Sequence, residues 1–142
     1  MKTSIWRIIR TPAASGAWNM ALDEAILQHA AQRKVPPTLR LFAWDPPCLS
    51  LGLAQPASDV DFSALQARGW EVVRRPTGGR AILHTDELTY SVTAPADEDA
   101  VAGGVLESYR RLAAALVSAL ERLELAATAD RQYTLPPGAT PN

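Results

Sequence analysis

A single cysteine, Cys48, stands among the 142 residues. That excludes an internal disulfide and any paired-cysteine metal site, and it suits a reducing compartment. The two histidines, His29 and His84, are too few for a histidine-built metal centre, so no metal is expected. There is no run of like charge and the net charge is −1, so no global field draws nucleic acid or an anionic membrane. No apolar stretch approaches a membrane span. The opening "MKTSIWRIIRTP" carries Arg7 and Arg10 where a signal peptide needs an apolar core, which points to a cytoplasmic protein without a membrane partner. Also missing are GxxxxGK[ST], a helix-opening GxGxxG and GxSxG, which argues against P-loop, Rossmann and serine-hydrolase chemistry.

What is present is ordinary for a globular chain: 47% hydrophobic and 20% charged residues in a length suited to one domain. Ser4 to Arg10 reads as a strand ending at Thr11-Pro12. From Gly16 to Lys34, Trp18, Leu22, Ala25, Ile26 and Ala30 recur at helical spacing, with Ser15 as N-cap and Pro36-Pro37 as the stop. "TLRLFAW" (38–44) and "CLSLGL" (48–53) alternate as strands around the turn "DPP". Residues 59–68 form a short helix closed by Gly69. "WEVVRR" and "RAILH" are strands flanking a Pro-Thr-Gly-Gly turn, and "ELTYSVTAP" follows as another. Residues 104–124 carry a wide apolar stripe, from Leu106 and Tyr109 through Leu116 to Leu123, on one long helix. Strand runs with helices outside them give an α+β class: one mixed, mostly antiparallel sheet covered by helices.

The densest chemistry is "VRRPTGGRAILH" (73–84). It reads in two ways. Gly78-Gly79 supply the positive φ of a tight surface hairpin, with exposed arginines beside it. Alternatively, paired glycines leave main-chain N–H groups uncovered for an anion, and guanidinium forks from Arg74, Arg75 and Arg80 match a carboxylate or phosphate. Neighbouring strand residues face opposite sides, so Arg74 and Arg75 do not share a pocket. Arg75 is expected to bind while Arg74 packs or pairs. Cys48 has no histidine near it in sequence and reads as a buried, inert thiol. Trp18 and Trp44 read as core aromatics and Asp23 and Glu24 as solvated; Asn19 reads as a capping or solvated residue before one approaching the pocket from the helix start.

"RRPTGGRAILH" followed by "ELTYSV" resembles the signature of the lipoate–protein ligase and octanoyltransferase family, related to the biotin protein ligase catalytic fold. "GAWNMALDEAIL" (16–27) is similar to that family's first helix, and "WDPPCLSLGLAQ" (44–55) to the strand pair before the signature. The likeness runs from about residue 5 to 135. It implies a class II synthetase-like, biotin protein ligase-like α+β fold, residues 1–142 being the N-terminal portion of one such catalytic domain with its C-terminal part missing. It implies transfer of an octanoyl or lipoyl group to a lysine of a lipoyl carrier domain. The carrier would be the glycine cleavage H protein or a 2-oxoacid dehydrogenase E2. No cofactor would be tightly bound, and ATP and Mg would enter only for a lipoate ligase acting through an adenylate. A non-catalytic acyl- or nucleotide-binding module is the third possibility.

By the same resemblance Arg75 and the backbone of Gly78, Gly79, Arg80, Ala81, Ile82 and Leu83 hold the acyl carboxylate or the phosphate of an acyl-adenylate. Apolar Ala81, Ile82 and Leu83 suit the fatty chain, and His84 matches the histidine that closes the signature. Its alternative is a hydrogen-bonded structural role. Arg80 stands where ligases commonly carry a third glycine, which is more like the cysteine-dependent octanoyltransferase branch. Thr85 intervenes before Asp86, so no role passes to that carboxylate. The family's catalytic lysine and acyl-accepting cysteine fall beyond Asn142, and neither Lys2 nor Lys34 matches. The tail "DRQYTLPPGATPN" (130–142) reads as a frayed terminus or as the connection to a further strand. A second subunit, or self-association, would cover an unfinished sheet edge.

Overall fold

The computed structural model describes residues 4–129. In chain order the elements are β1 (Arg7–Arg10), α1 (Gly16–Ala31), β2 (Thr38–Phe42), β3 (Cys48–Leu51), α2 (Phe62–Ala67), β4 (Glu71–Arg74), β5 (Ile82–His84), β6 (Thr89–Thr93) and α3 (Val105–Arg122), with a single 3-10 turn over Ala57–Asp59. The α+β class is as expected. The strands divide into two three-stranded sheets, ordered β1-β2-β6 and β4-β3-β5, where the sequence suggested one. Each sheet has one parallel and one antiparallel pair, so the pairing is evenly mixed. Contacts divide the chain into two compact units, Met1–Pro95 and Ala96–Asn142. The tail read at 130–142 lies outside the described residues.

Local signals explain the element ends. The Ser15 hydroxyl accepts from the Trp18 amide (3.3 Å), and the Glu71 carboxylate takes the Gly16 N–H at 2.6 Å, placing negative charge at the positive end of α1. Asp61 caps α2 through the Ala64 amide at 2.9 Å, and Gly69 leaves that helix with φ +69°. In the second unit, the Glu107 carboxylate reaches back to the Gly104 N–H at 3.0 Å to start α3. Past its end, Glu124 takes φ +61° and the Leu125 amide returns to the Leu120 carbonyl at 3.0 Å.

The core of the first unit is small. Phe42, Trp44 and Cys48 are buried together, with Met20 and Val73 packed against them. α1 lies close to this core because residue 16 has no side chain: a Cβ there would meet Cys48 Sγ at 2.5 Å and Val73 at 2.8 Å. Beside it sits a buried polar cluster that the sequence did not announce. Arg40, in the central strand β2, is fully buried and donates to the Asn19 carbonyl, Asn19 Oδ1, Asp23 Oδ1 and Thr11 Oγ1 at 2.6–3.1 Å. Asp23 also accepts from the Ser91 hydroxyl at 2.9 Å. Asn19 is likewise buried and donates to the carbonyls of Ala14 and Ala43. Neither residue is therefore solvated or a cap. Arg40 is the reason: an interior guanidinium needs acceptors, and Asn19 and Asp23 of α1, with Thr11, supply them to both terminal nitrogens. Trp18, expected in the core, is 46% exposed, while Trp44 is buried as expected.

Candidate functional site

The second sheet carries the arginine–glycine segment. β4 and β5 do not form a hairpin: both pair with β3, β4 in parallel and β5 antiparallel. The Pro76–Ala81 connection must therefore cross over the end of β3 instead of closing a tight two-strand turn. It lands on the Gly52 backbone. A Cβ on Gly52 would sit 1.8 Å from the Gly79 carbonyl oxygen, so the two main chains touch there and only glycine fits. Gly79 itself has φ +91°.

The two adjacent arginines diverge, as strand alternation requires, and each ties down one loop. Arg74 Nη1 donates to the carbonyls of Gly52, Leu53 and Gln55 at 2.7–3.1 Å. Arg75 Nη1 donates to the Ser50 carbonyl (2.9 Å) and hydroxyl (3.2 Å), and its Nη2 to the carbonyls of Gly78 and Arg80, both at 2.7 Å. Burial pulls the Arg75 guanidinium down from its ordinary value.

A trans peptide points its C=O and N–H in opposite directions. With the carbonyls of Gly78 and Arg80 drawn inward to Arg75, the N–H groups of Gly79 and Ala81 are directed away from the guanidinium. A pair of main-chain donors turned away from a held loop is the kind of feature an anion site uses. Gly78, Gly79 and Arg80 are exposed, and beside them Ile82 and Leu83 are 48% and 41% exposed. Ile82 and Leu83 are neighbours on β5, so their side chains lie on opposite faces of the sheet.

His84 sits underneath, 6% exposed. Its ring stacks on Trp44 with centroids 4.0 Å apart and planes 10° from parallel. Nε2 lies 2.8 Å from the Ser50 hydroxyl and Nδ1 2.6 Å from a Glu87 carboxylate oxygen. Thr89 donates to the same Glu87 oxygen at 2.6 Å and accepts from the Trp44 indole N–H at 2.7 Å. Burial pushes the Glu87 carboxyl up, but the hydrogen bonds from Thr89 and His84, with the charge of His84, bring it net below the usual carboxylate range. His84 therefore faces protein on both ring nitrogens.

Sequence reasoning missed Ser50 and Glu87. A signal for Ser50 was available: the alternation of "CLSL" puts it on the same strand face as Cys48, already read as buried, where a lone hydroxyl must find a partner.

Cys48 is fully buried, and desolvation, with the Glu71 carboxylate second, pushes its thiol up to about 12. The thiolate is the nucleophile, so this sulfur is inert at neutral pH. Iodoacetamide at pH 8 is expected to leave folded chain unmodified by intact mass and to label it in 8 M urea, where burial is gone; rapid labelling of the folded chain would contradict the burial. Among the described residues no cluster of three or more His, Cys, Asp or Glu could hold a metal ion, and no helix is long and apolar enough to cross a membrane.

Comparison with known proteins matches residues 15–135 to the lipoyl protein ligase A/B catalytic domain. An octanoyltransferase LipM from Kyrpidia tusciae is 51% identical over 119 residues, covering 83% of this chain and 43% of that protein. The chain thus spans less than half the length of this relative. Among solved structures, a lipoate-protein ligase A bound with ATP superposes with TM-score 0.73 at 25% identity, covering 95% of this chain and 53% of that one. A bi-partite lipoate protein ligase from Thermoplasma acidophilum, studied with its E2 lipoyl domain, gives TM-score 0.69 at 25% identity, covering 91% of this chain and 49% of that one.

Proposed function

Because the chain belongs to the lipoyl protein ligase A/B catalytic domain family, we propose that it binds an octanoyl or lipoyl group for transfer to a lysine of a lipoyl carrier domain. The matched stretch, residues 15–135, takes in most of both compact units, so residues 1–142 are taken as part of one catalytic domain. The observation that carries the reading is the pair of outward amides at Gly79 and Ala81, held by Arg75 and bordered by exposed Ile82 and Leu83. The amides take the negative head, the acyl carboxylate or an adenylate phosphate. The apolar side chains on one face of β5 lie along the fatty chain, and Arg75 adds positive charge behind the turn. Residues 75 and 78–83 form the contact surface, and His84 supports it from below.

Transfer chemistry needs a nucleophile, and buried Cys48 does not supply it. The likeness to an octanoyltransferase at 51% identity favours direct acyl transfer over adenylate formation. The carriers would be the H protein or E2 lipoyl domains, the latter suggested by the Thermoplasma neighbour. No cofactor is required for that route, whereas the ligase route would require ATP and Mg.

The chain is incubated with an octanoyl-carrier donor and a lipoyl domain, and the lipoyl domain is weighed intact. An octanoyl adduct without ATP supports transfer. An adduct formed only with ATP and lipoate supports the ligase reading. Octanoate binding with no adduct under either condition points to an acyl-binding module instead. Arg75→Ala is expected to weaken octanoate binding by about 1.5–3 kcal/mol, the range of a hydrogen bond to a charged group, because the Gly78 and Arg80 carbonyls lose the charge that holds them. Unchanged affinity by calorimetric titration would remove Arg75 from the site.

A further inference from the structure

Five side chains form one line of hydrogen bonds beneath the glycine turn: Thr89, Glu87, His84, Ser50 and Arg75. With His84 in its neutral Nδ1–H form, their donor directions run in one sense from end to end. The ionised Glu87 carboxylate only accepts, so His84 Nδ1 carries the hydrogen and donates to it. In the neutral ring Nε2 must then accept, and the only hydrogen facing it is the Ser50 hydroxyl's. The Ser50 oxygen is left free to accept from Arg75 Nη1, which can only donate. Arg75 in turn holds the carbonyls of Gly78 and Arg80. The stack on Trp44 fixes the ring plane, and the Trp44 indole N–H anchors Thr89.

We infer that Ser50 and Glu87 are positioning residues for the acyl-head site: through the neutral Nδ1–H form of His84 they set the Arg75 guanidinium, and with it the outward direction of the Gly79 and Ala81 amides. The inference rests on the acyl-binding reading for its purpose, not for its geometry. A second proton on His84 would reverse one bond in the line. Nε2 would then donate to Ser50, whose oxygen would face two cationic donors while its own hydrogen lost its acceptor. The charged and titratable groups around the ring are Glu87 at Nδ1, Arg75 across Ser50 at Nε2, and Cys48, its cross-strand partner on β3.

Nuclear magnetic resonance of the wild-type chain tests this directly. In the neutral ring of His84, Nδ1 should be protonated and Nε2 should accept. On acidification the Gly79 and Ala81 amide signals should move with the same midpoint as the ring. Glu87→Ala should erase the tautomer preference, shift those two amides and weaken octanoate binding about tenfold. Glu87→Gln, whose amide oxygen can still accept from Nδ1, should restore all three. Amides that stay put while the ring titrates overturn the inference, and the wild-type titration decides even where the alanine variant does not fold. Amides that follow the ring in a chain with no octanoate affinity at any pH support the positioning line and sink the acyl reading instead.

Discussion

Arg40→Leu should cost the fold about 3–5 kcal/mol, the usual range when one partner of a buried pair is removed. The guanidinium is fully buried and holds the Asp23 carboxylate at 2.9 Å, where that side chain is only 12% exposed. It also takes two oxygens of Asn19 and the Thr11 hydroxyl, and packs its Cζ 3.9 Å from the Phe42 ring centroid. Leucine would leave Asp23 charged with the Ser91 hydroxyl as its remaining partner in this cluster, and would strand Asn19 Oδ1 in the interior. Not every bond is made even in the wild type, since Arg40 Nε has no partner. Urea unfolding with an unchanged m-value measures the loss. A cost below about 1 kcal/mol would mean that water satisfies the cluster. Combining Arg40→Leu with Asp23→Leu should recover part of the loss, because the stranded carboxylate goes with it.

Gly52→Ala is the second large effect, and it strikes the site instead of the core. The new methyl carbon would lie 1.8 Å from the Gly79 oxygen and 2.8 Å from its carbonyl carbon. Both are backbone atoms, so no rotamer relieves the clash. The backbone is held as well: Arg74 grips the Gly52 carbonyl at 2.7 Å, and Arg75 grips the carbonyls on either side of Gly79. The turn must lift off, at about 1–3 kcal/mol of overpacking strain and with octanoate affinity falling by at least about tenfold. Gly78→Ala is the control. It sits on the same exposed turn, a Cβ there meets nothing within 4 Å, and its stability should stay within about 0.5 kcal/mol of wild type. Equal stabilities for the two variants would show that the Gly52–Gly79 approach is not a constraint.

The sequence failed at particular places, and for one reason. Asp23 and Asn19 lie on a helix where polar residues usually meet water; only the pairing of β2 between β1 and β6 sets Arg40 opposite them. The hairpin, one of two readings of Pro-Thr-Gly-Gly, rested on its paired glycines, whereas β3 separates the two strands. Arg75 was expected to bind an anion together with the backbone of residues 78–83; its four bonds to Ser50, Gly78 and Arg80, which the sequence did not announce, come from a strand 25 residues away and from its own loop.

Sequence by itself determined the elements and singled out the arginine–glycine segment on which the proposed site rests. Ser15, Gly69 and the apolar periodicities act within a few residues, and the arginine–glycine segment is contiguous, so both are visible in one dimension. Tertiary structure alone decided which of those groups face outward. The direction of a peptide N–H depends on what holds its carbonyl, and here that grip comes from Arg75, steadied through Ser50, His84 and Glu87 by pairing across β3. Hydrogen-bond partners far apart along the chain leave no periodic trace in it.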